Sequence, residues 1–399
     1  MNKTPSKSSY DVVIIGGAIM GSSLAWWLTS NPDFDGSVLV VEADPTYEFS
    51  GTAHSNSCMR QQFSTKLNVQ ISQFAAEFVN NFRQFMDHPD APDIPIQNYG
   101  YMYLADTPEQ AQVFRENHAV QRACGTQTEL LSADQIAQRY PFYRVDDILL
   151  GSINLKDEGY FDGGTVFDWW RKSAQRLGAE YLHNRVVEMT REGDQITHVT
   201  LESGERIAVG RVVNCSGTRA ALTAKMAGIH VPIEPRRRYT FIFDAAHRLD
   251  RDLPLTIDPS GIHVRTDGTY YLAGCPPLGD DVVMDPNDFA YEDDIWEEKV
   301  WPAIASRIPQ FEAIKLINSW VGHYAFNTLD QNAVLGPHPQ VSNFLFLNGF
   351  SGHGLQQSPA MGRGVAEHII YGEYRSLDLS LFAYQRIIDN KPIVEKAVI

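Results

Sequence analysis

The order of apolar and polar segments near the start of the chain is typical of a nucleotide-binding βαβ unit. The apolar run at residues 11–15 predicts a buried strand, and a helix-like apolar run follows the glycine turn at residues 16–21. A second apolar run, at residues 38–41, predicts another strand and stops at Glu42. A helix N-terminus offers free N–H groups to phosphate, and a carboxylate after the second strand accepts hydrogen bonds from a ribose. The pattern therefore predicts a dinucleotide site.

The glycine turn departs at one position from the pattern G-x-G-x-x-G. Gly16 permits the tight turn and Gly21 allows close helix–strand packing, but the third position holds Ala18. A methyl group there narrows the approach of the backbone to phosphate without forbidding it, and Gly17 is placed to compensate. The residues expected at the cofactor in this unit are Gly16, Ala18, Ile19, Met20, Gly21, Glu42 and Ala43.

Further along the chain the hydrophobic period changes several times, which indicates more than one domain. Helical spacing predicts helices over residues 67–88, 107–124, 132–140, 165–177 and 359–370. Alternation predicts an antiparallel sheet from residues 234–245 and 262–274. Because a strand, a glycine turn and a helix recur near the end, we expect an α/β fold with an α+β second domain inserted into it. The predicted cofactor domain comprises residues 1–88, 150–225 and 330–399, and the second domain comprises 89–149 and 226–329.

Charge and composition narrow the classes of partner. The net charge is −16, from 33 basic and 49 acidic residues, which argues against nucleic acid and against an anionic membrane surface. A small anionic substrate needs only local positive charge and is not excluded. The 4 cysteines are scattered, which suggests a reducing compartment, and we expect a cytoplasmic protein without a signal peptide or a membrane span. The histidine spacing predicts no metal site.

Several stretches, most of them in the second half of the chain, carry a specific resemblance. The residues that carry it are Met59–Ser64, Pro232–Phe241, Leu255–Arg265, Tyr271–Gly274, Trp320–Pro339 and Phe346–Ile369. Together they closely resemble the D-amino-acid-oxidase-like FAD flavoprotein superfamily, with its sarcosine oxidase and dimethylglycine dehydrogenase branch nearest. Within that branch they are most similar to the FAD-dependent-oxidoreductase-domain-containing group. The resemblance covers essentially the whole chain.

The resemblance implies a two-domain flavoenzyme with a Rossmann-like FAD-binding domain and a mixed-sheet substrate domain. It implies oxidation of the C–N bond of a small secondary-amine carboxylate, similar to sarcosine, dimethylglycine or iminodiacetate. The flavin takes a hydride, and the imine then hydrolyses. The electron acceptor is oxygen or another redox acceptor. Relatives of the sarcosine oxidase type have an oxygen-activating lysine where this chain has Cys275-Pro276-Pro277. The choice between oxidase and dehydrogenase therefore stays open, as does the oligomeric state.

The same resemblance implies a further set of cofactor residues. These are Ser50, His54, Ser55, Arg60, Val187, Cys215, Gly217, Gly349, Gly352, His353, Gly354, Leu355 and Gln356. A helix that begins after the last glycine turn would direct the positive end of its dipole at the flavin. His54 has two interpretations, because it aligns with a histidine that is covalently joined to flavin in dimethylglycine dehydrogenase and is otherwise an ordinary loop residue. For Val187, a plain core valine is the alternative to contact with adenine.

Five residues are candidates for the chemistry itself: Arg60, His263, Arg265, Tyr271 and His323. An arginine in the loop beneath the flavin would bind the substrate carboxylate or the flavin edge, and a structural ion pair is the alternative. The histidine and arginine of residues 263–265 share a strand face and suit a carboxylate clamp, while the tyrosine would shape the pocket. His323 is a candidate general base, with a satisfied core histidine as the alternative.

Three adjacent arginines precede a strand of the second domain. Alternation places Arg236 and Arg238 on one face and Arg237 on the other. Together with Arg60 and Arg265, Arg238 would suit a dicarboxylate such as iminodiacetate. Two other hypotheses compete with amine oxidation: a flavoprotein assembly or interaction factor with little turnover, as in a mitochondrial relative, and an NAD-dependent dehydrogenase, which would be colourless.

Overall fold

The computed structural model describes residues 3–397 and contains two large mixed sheets with helices packed on them. The strands are β1 (Ser9–Ile15), β2 (Val38–Glu42), β3 (Cys58–Met59), β4 (Tyr101–Ala105), β5 (Glu129–Leu131), β6 (Leu150–Asn154), β7 (Gly159–Tyr160), β8 (Glu180–His183), β9 (Val186–Glu192), β10 (Gln195–Leu201), β11 (Arg206–Asn214), β12 (Ile233–Ala245), β13 (Leu255–Ile257), β14 (His263–Asp267), β15 (Tyr270–Cys275), β16 (Ile314–Asn327), β17 (Val334–His338) and β18 (Val341–Asn348). The α-helices are α1 (Ile19–Thr29), α2 (Lys66–Asn80), α3 (Phe82–Met86), α4 (Pro108–Ala123), α5 (Ala133–Arg139), α6 (Gly163–Arg176), α7 (Ala220–Met226), α8 (Trp301–Arg307), α9 (Gly354–Tyr371) and α10 (Gln385–Ile388).

The first sheet has the strand order β17-β18-β11-β1-β2-β8, with β10 and β9 added beside β11. Its central pairs are parallel, and β17 is an antiparallel edge strand. Side chains on both faces of β1 are buried, because α1, α6 and α9 cover one face while β9, β10 and α7 cover the other. The carboxyl ends of β1 and β18 lead into α1 and α9, so both helix N-termini lie at one edge of the sheet.

The second sheet has the strand order β16-β12-β15-β14-β13-β4-β6-β5. Along β12, Tyr239, Phe241 and Phe243 are buried in a core with α8 and the aromatic residues beside it. Alternation turns Arg238 and Thr240 to the opposite face. Since β12 pairs with both β15 and β16, this face is continuous over three strands.

The structure corrects several boundaries. The helix predicted over residues 67–88 is two helices, α2 and α3, which meet at Asn81. Helix α9 begins at Gly354 rather than at residue 359. Pro359 lies inside it and has no N–H to donate to the carbonyl of Leu355. The hydroxyl of Ser358 donates to that carbonyl instead. Strand β6 pairs with β4, so residues 150–154 belong to the second sheet. The domain division stays a prediction.

The described residues were searched for membrane-spanning helices and for metal-binding clusters. Within residues 3–397, no helix is both long and apolar enough to cross a membrane. In the same range, no cluster of three or more His, Cys, Asp or Glu side chains is arranged to hold a metal ion. The cysteines are free thiols, and two of them are buried.

Candidate functional site

A cavity of about 640 Å³ is lined by residues from both large sheets and from the loops that join them. Its volume is within the range of small-molecule and cofactor sites. Most residues predicted to contact the cofactor line it: Gly16, Ala18, Ile19, Met20, Glu42, Ala43, Ser50, His54, Ser55, Arg60, Cys215, Gly217, Gly352, His353, Gly354, Leu355 and Gln356. Residues that are far apart in the sequence therefore meet at one site.

Three residues of the predicted cofactor set lie outside this lining. A Cβ on Gly21 would overlap the carbonyl oxygen of Gly16, so Gly21 serves the helix–strand packing. Gly349 has a φ of +74° and packs on Ile233, which makes it a backbone requirement of the turn. Val187 is 44% exposed, so it is not a core valine, while the preceding residue, Val186, is buried and lines the cavity; the predicted contact of the Val187 backbone with adenine stays a prediction. Alternation along β9 accounts for this difference.

At the α1 end, the cavity is shaped for a nucleotide. Gly16 has a φ of +97°, and a Cβ there would lie 2.5 Å from the carbonyl oxygen of Cys215. Glu42 accepts hydrogen bonds from the backbone N–H of Gly17 at 2.7 Å and of Asp44 at 2.8 Å. Burial raises the pKa of Glu42.

Two polar atoms in this region have no hydrogen-bond partner within residues 3–397. They are the hydroxyl oxygen of Tyr47 and Oδ2 of Asp44, and both are buried. Buried polar groups normally have partners, so a bound molecule with hydroxyl or phosphate groups would satisfy them. These atoms and the glycine cradle fit the adenosine diphosphate part of FAD.

Both terminal nitrogens of Arg60 are bound by the protein. Its side chain donates to the carbonyls of Gln62 and Ala397, each at 2.5 Å, and contacts Nε2 of His353 at 2.8 Å. Its guanidinium also lies 4.0 Å from the ring centroid of Phe63. Among residues 3–397, no carboxylate lies within ion-pair distance of Arg60. Arg60 is thus a buried cation in the cavity wall, and its contact with the substrate carboxylate or the flavin edge stays a prediction.

The N-terminus of α9 reinforces this positive charge. The helix has 18 residues and begins at Gly354, directly after His353. Burial, followed by the charge of Arg60, keeps the pKa of His353 well below its usual value, so its imidazole is neutral at pH 7. The helix dipole and Arg60 together favour an electron-rich group at this end of the cavity. This is the property that the flavin ring of FAD requires.

The sheet wall of the cavity carries a polar network. The Thr240 hydroxyl donates to Oδ1 of Asn56 at 3.2 Å, and Nδ2 of Asn56 lies 3.0 Å from Nε2 of His263. Burial, with the charges of Arg265 and Arg238, lowers the pKa of His263 to about 4. His263 is therefore neutral at pH 7. Sequence reasoning missed Asn56 and Thr240, although strand alternation could have indicated Thr240, which shares a face with Arg238.

Arg238 is the cation of this wall. It lines the cavity together with Tyr324, and its guanidinium lies 4.7 Å from the ring centroid of Tyr324. Thr240 follows on the same strand face, and β15 places His263 in the same row, because Thr240 pairs with Gly274 and Gly274 with His263. The sheet therefore directs a guanidinium, a hydroxyl and a neutral imidazole to one side of the cavity.

Two predicted catalytic residues lie elsewhere. Tyr271 faces the buried core on the other side of the sheet, where its ring centroid is 5.4 Å from that of Phe243. Arg265 forms an ion pair with Asp267 at 2.7 Å and donates to the Asn56 carbonyl at 3.0 Å. Neither residue lines the cavity. We therefore correct both assignments: Tyr271 supports the core, and Arg265 holds the loop that contains Asn56.

His323 lines the cavity but lies on the opposite strand face from Arg238. It pairs with Arg237 in the register of β12 and β16, and its ring centroid is 4.5 Å from that of Phe289. Both ring nitrogens are buried without a partner among the described residues, and burial lowers the pKa of His323. Its lone pair is free at pH 7, yet it is separated from the polar network around His263.

His54 lies in the cavity wall, packed against Gly322 and Phe289. Its Nδ1 is buried and has no partner within residues 3–397. Both interpretations of this residue fit that position. Acid precipitation separates them, because a covalent link carries the flavin into the pellet and a non-covalent site releases it to the supernatant.

Comparison with known proteins identifies the family. The family described as FAD dependent oxidoreductase (DAO) matches residues 11–368 of this chain. The chain belongs to this family. FAD-dependent oxidoreductase domain-containing protein 1 of Xenopus laevis is 37% identical over 98% of this chain and 85% of its own length. Mitochondrial sarcosine dehydrogenase of Mus musculus is 23% identical over 92% of this chain and 40% of its own length.

Solved structures agree on the fold. L-proline dehydrogenase from P. horikoshii matches with a TM-score of 0.82 and 24% identity, covering 98% of this chain and 99% of that chain. The predicted α/β fold with a Rossmann-like domain is confirmed, and so is the predicted superfamily. FAD is the cofactor of this flavoprotein, which decides against the NAD-dependent alternative. The protein is an oxidoreductase.

Proposed function

We propose that this oxidoreductase oxidises the C–N bond of a small secondary-amine carboxylate. The observation that carries the proposal is Arg238, a guanidinium in the cavity wall beside the neutral imidazole of His263. Bidentate arginine is well suited to hold a carboxylate. The relative named sarcosine dehydrogenase supports this substrate class. FAD, when bound, supplies the two-electron acceptor.

The wall of the cavity near Arg238 suits a substrate with one carboxylate and a short apolar group. The cavity lining also includes Tyr101, Leu255 and Cys58. These side chains offer apolar surface to an N-methyl or other small N-alkyl group. All three arginines considered for a dicarboxylate already have partners: Arg60 donates to carbonyls, Arg265 pairs with Asp267, and Arg238 pairs with Asp281. Because these charges are engaged, we favour a sarcosine- or dimethylglycine-like substrate, which has one carboxylate, over an iminodiacetate-like one.

Positive charge in the cavity wall also favours the neutral form of the substrate amine. Arg60 lines the cavity and its side chain is bound by carbonyls rather than by a carboxylate, and a nearby positive charge lowers the pKa of an ammonium group, as burial does. The substrate amine is thereby held in its neutral form, which has the lone pair that C–N oxidation needs. This arrangement assigns no proton transfer to His323, which lies on the other face of β16.

The experiment measures anaerobic reduction of the bound flavin. The loss of visible flavin absorbance reports the reduction. Sarcosine, dimethylglycine and iminodiacetate are compared with dimethylamine, which has no carboxylate. Arg238→Gln is expected to weaken reduction by sarcosine at least about 30-fold at low substrate, because losing a buried charged contact costs about 2–5 kcal/mol. Arg248→Gln is the matched control, since Arg248 pairs with Asp244 at the surface. If no amine bleaches the flavin, or both variants behave alike, the proposal fails.

The same preparation tests the remaining alternatives. An assembly or interaction factor would form a stable protein complex and show no amine turnover. Oxygen and an artificial dye, compared as electron acceptors for the reduced protein, distinguish an oxidase from a dehydrogenase. Lys299 reaches the segment where relatives have their lysine, donating to the carbonyls of Pro276 and Pro277 at 3.1 and 2.7 Å, but it does not line the cavity. We therefore propose an acceptor other than oxygen.

A further inference from the structure

The guanidinium of Arg238 already has protein partners at both terminal nitrogens. Nη1 donates to the carbonyl of Arg237 at 2.7 Å and to Oδ1 of Asp281 at 3.0 Å, and Nη2 donates to Oδ2 of Asp281 at 2.9 Å. Asp281 therefore holds the end of the guanidinium in the bidentate geometry that carboxylates favour. A carboxylate bound at this wall of the cavity would gain from a further donor beside Arg238 that the fold has not used.

Tyr324 lies directly beside Arg238 in this wall. It pairs with Arg236 in the register of β12 and β16, so it shares the sheet face of Arg236 and Arg238. The guanidinium of Arg238 lies 4.7 Å from the centroid of its ring. The ring also packs on the turn before α9, where a Cβ on Gly352 would lie 2.5 Å from Cε2 and 2.6 Å from Cζ of Tyr324. The carbon that bears the hydroxyl is therefore at the junction of this turn and the Arg238 wall.

The hydroxyl of Tyr324 has no role in the fold. Among residues 3–397, no group forms a hydrogen bond with it. Its oxygen is not sealed from solvent, in contrast to the hydroxyl oxygen of Tyr47. Because Tyr324 is partly exposed and lines the cavity, this oxygen is open to a ligand bound there. A phenylalanine at this position would cost the described part of the chain no hydrogen bond.

The surroundings of this hydroxyl suit an anion. Burial raises the pKa of Tyr324, and the charges of Arg238 and Arg60 oppose that rise only in part. The hydroxyl is therefore protonated at pH 7 and can donate a hydrogen bond. Both arginines line the same cavity as Tyr324, and nearby positive charge disfavours an ammonium group and favours a carboxylate.

We infer that the hydroxyl of Tyr324 donates a hydrogen bond to the substrate carboxylate and acts with Arg238 as its recognition site. The inference rests on the proposed function and adds the residue that makes the direct contact. A hydrogen bond to a charged acceptor is stronger than one to a neutral acceptor. Tyr324 therefore favours an acid over the corresponding amide, and it does so without adding another cation to the wall.

The test measures binding rather than turnover. Propionate and its neutral isostere propionamide are titrated into the FAD-loaded protein, and the dissociation constant is read from the perturbation of the flavin spectrum. Tyr324→Phe removes only the hydroxyl and is expected to weaken propionate about 10- to 100-fold and propionamide by less than about 10-fold. Tyr270→Phe is the matched control, because Tyr270 is exposed on β15 and does not line the cavity. It should leave both dissociation constants unchanged.

Two further measurements on Tyr324→Phe separate substrate contact from other roles of the hydroxyl. Urea unfolding with excess FAD should give the same free energy of unfolding as Tyr270→Phe, because the fold loses no hydrogen bond. The midpoint potential of the bound flavin, measured without probe, should stay at the wild-type value. The inference is overturned if the wild type does not bind propionate or if the variant binds propionate as the wild type does. It is also overturned if both probes weaken equally, if stability falls, or if the potential shifts. Because neither probe is oxidised, failure of the amine panel and failure of this inference are separate results.

Discussion

Replacing Gly16 by alanine tests the shape of the nucleotide cradle. The φ of +97° is unfavourable for any residue with a Cβ, and left-handed conformations cost about 1–2 kcal/mol. The new Cβ would also lie 2.5 Å from the carbonyl oxygen of Cys215 and 2.9 Å from its carbon. Both are backbone atoms, so no side-chain rotation relieves the overlap, and overpacking of this kind costs about 1–3 kcal/mol. We expect a loss of about 2–5 kcal/mol in the free energy of unfolding.

Gly217→Ala is the matched control in the same cavity. Gly217 has a φ of +55°, but a Cβ there meets no atom within 4 Å. Its cost is conformational alone, and the stiffer unfolded chain offsets about 0.4–1 kcal/mol of it. The assay is urea unfolding of both variants with excess FAD, followed by tryptophan fluorescence and by the release of flavin. If Gly16→Ala is no more destabilising than Gly217→Ala, the close approach of β1 to Cys215 is not what requires glycine.

Two other predictions concern buried charges. Burial raises the pKa of Glu158 to about 7, so between about pH 4.5 and 7 the folded protein holds a proton that the unfolded chain has released. The free energy of unfolding should therefore fall by about 3 kcal/mol as pH rises through this window. Glu158→Gln should flatten this slope when urea unfolding is measured at a series of pH values. An unchanged slope would show that Glu158 titrates normally. Arg386→Met should cost about 3–5 kcal/mol, because it leaves the buried carboxylate of Asp330, now 2.7 Å from Arg386, without its cation. Lys391→Met, which removes an exposed ion pair, should change stability by less than about 1 kcal/mol; equal losses in the two variants would contradict the reasoning.

Much of the nucleotide half of the site follows from local sequence. A buried strand, a turn that needs positive φ at Gly16 and a carboxylate at the end of the next strand are all short-range patterns, and the structure places Gly16 and Glu42 in one cavity wall. The alternative that Val187 is a core valine was wrong, because Val187 is exposed and Val186 is buried. Alternation gives the period of a strand, but the face that turns inward depends on what packs against it.

The substrate half depended on the tertiary structure. Tyr271 and Arg238 both lie on strands with clear alternation, yet only the packing of the second sheet shows that the tyrosine faces the core and the arginine the cavity. The role of Arg60 depends on the carbonyl of Ala397, 337 residues away in sequence.

The sequence by itself determined the positions of the glycine turns, because these depend on backbone conformation within a few consecutive residues. Its resemblance to a flavoprotein superfamily implied the fold family and FAD. The tertiary structure decided what each cation contacts. Arg60 is held by distant carbonyls, Arg265 by Asp267 and Arg238 by Asp281, and of these three Arg60 and Arg238 line the cavity. A guanidinium has the same formal charge in every sequence context, and only its folded surroundings determine which of its donors remain available to a ligand.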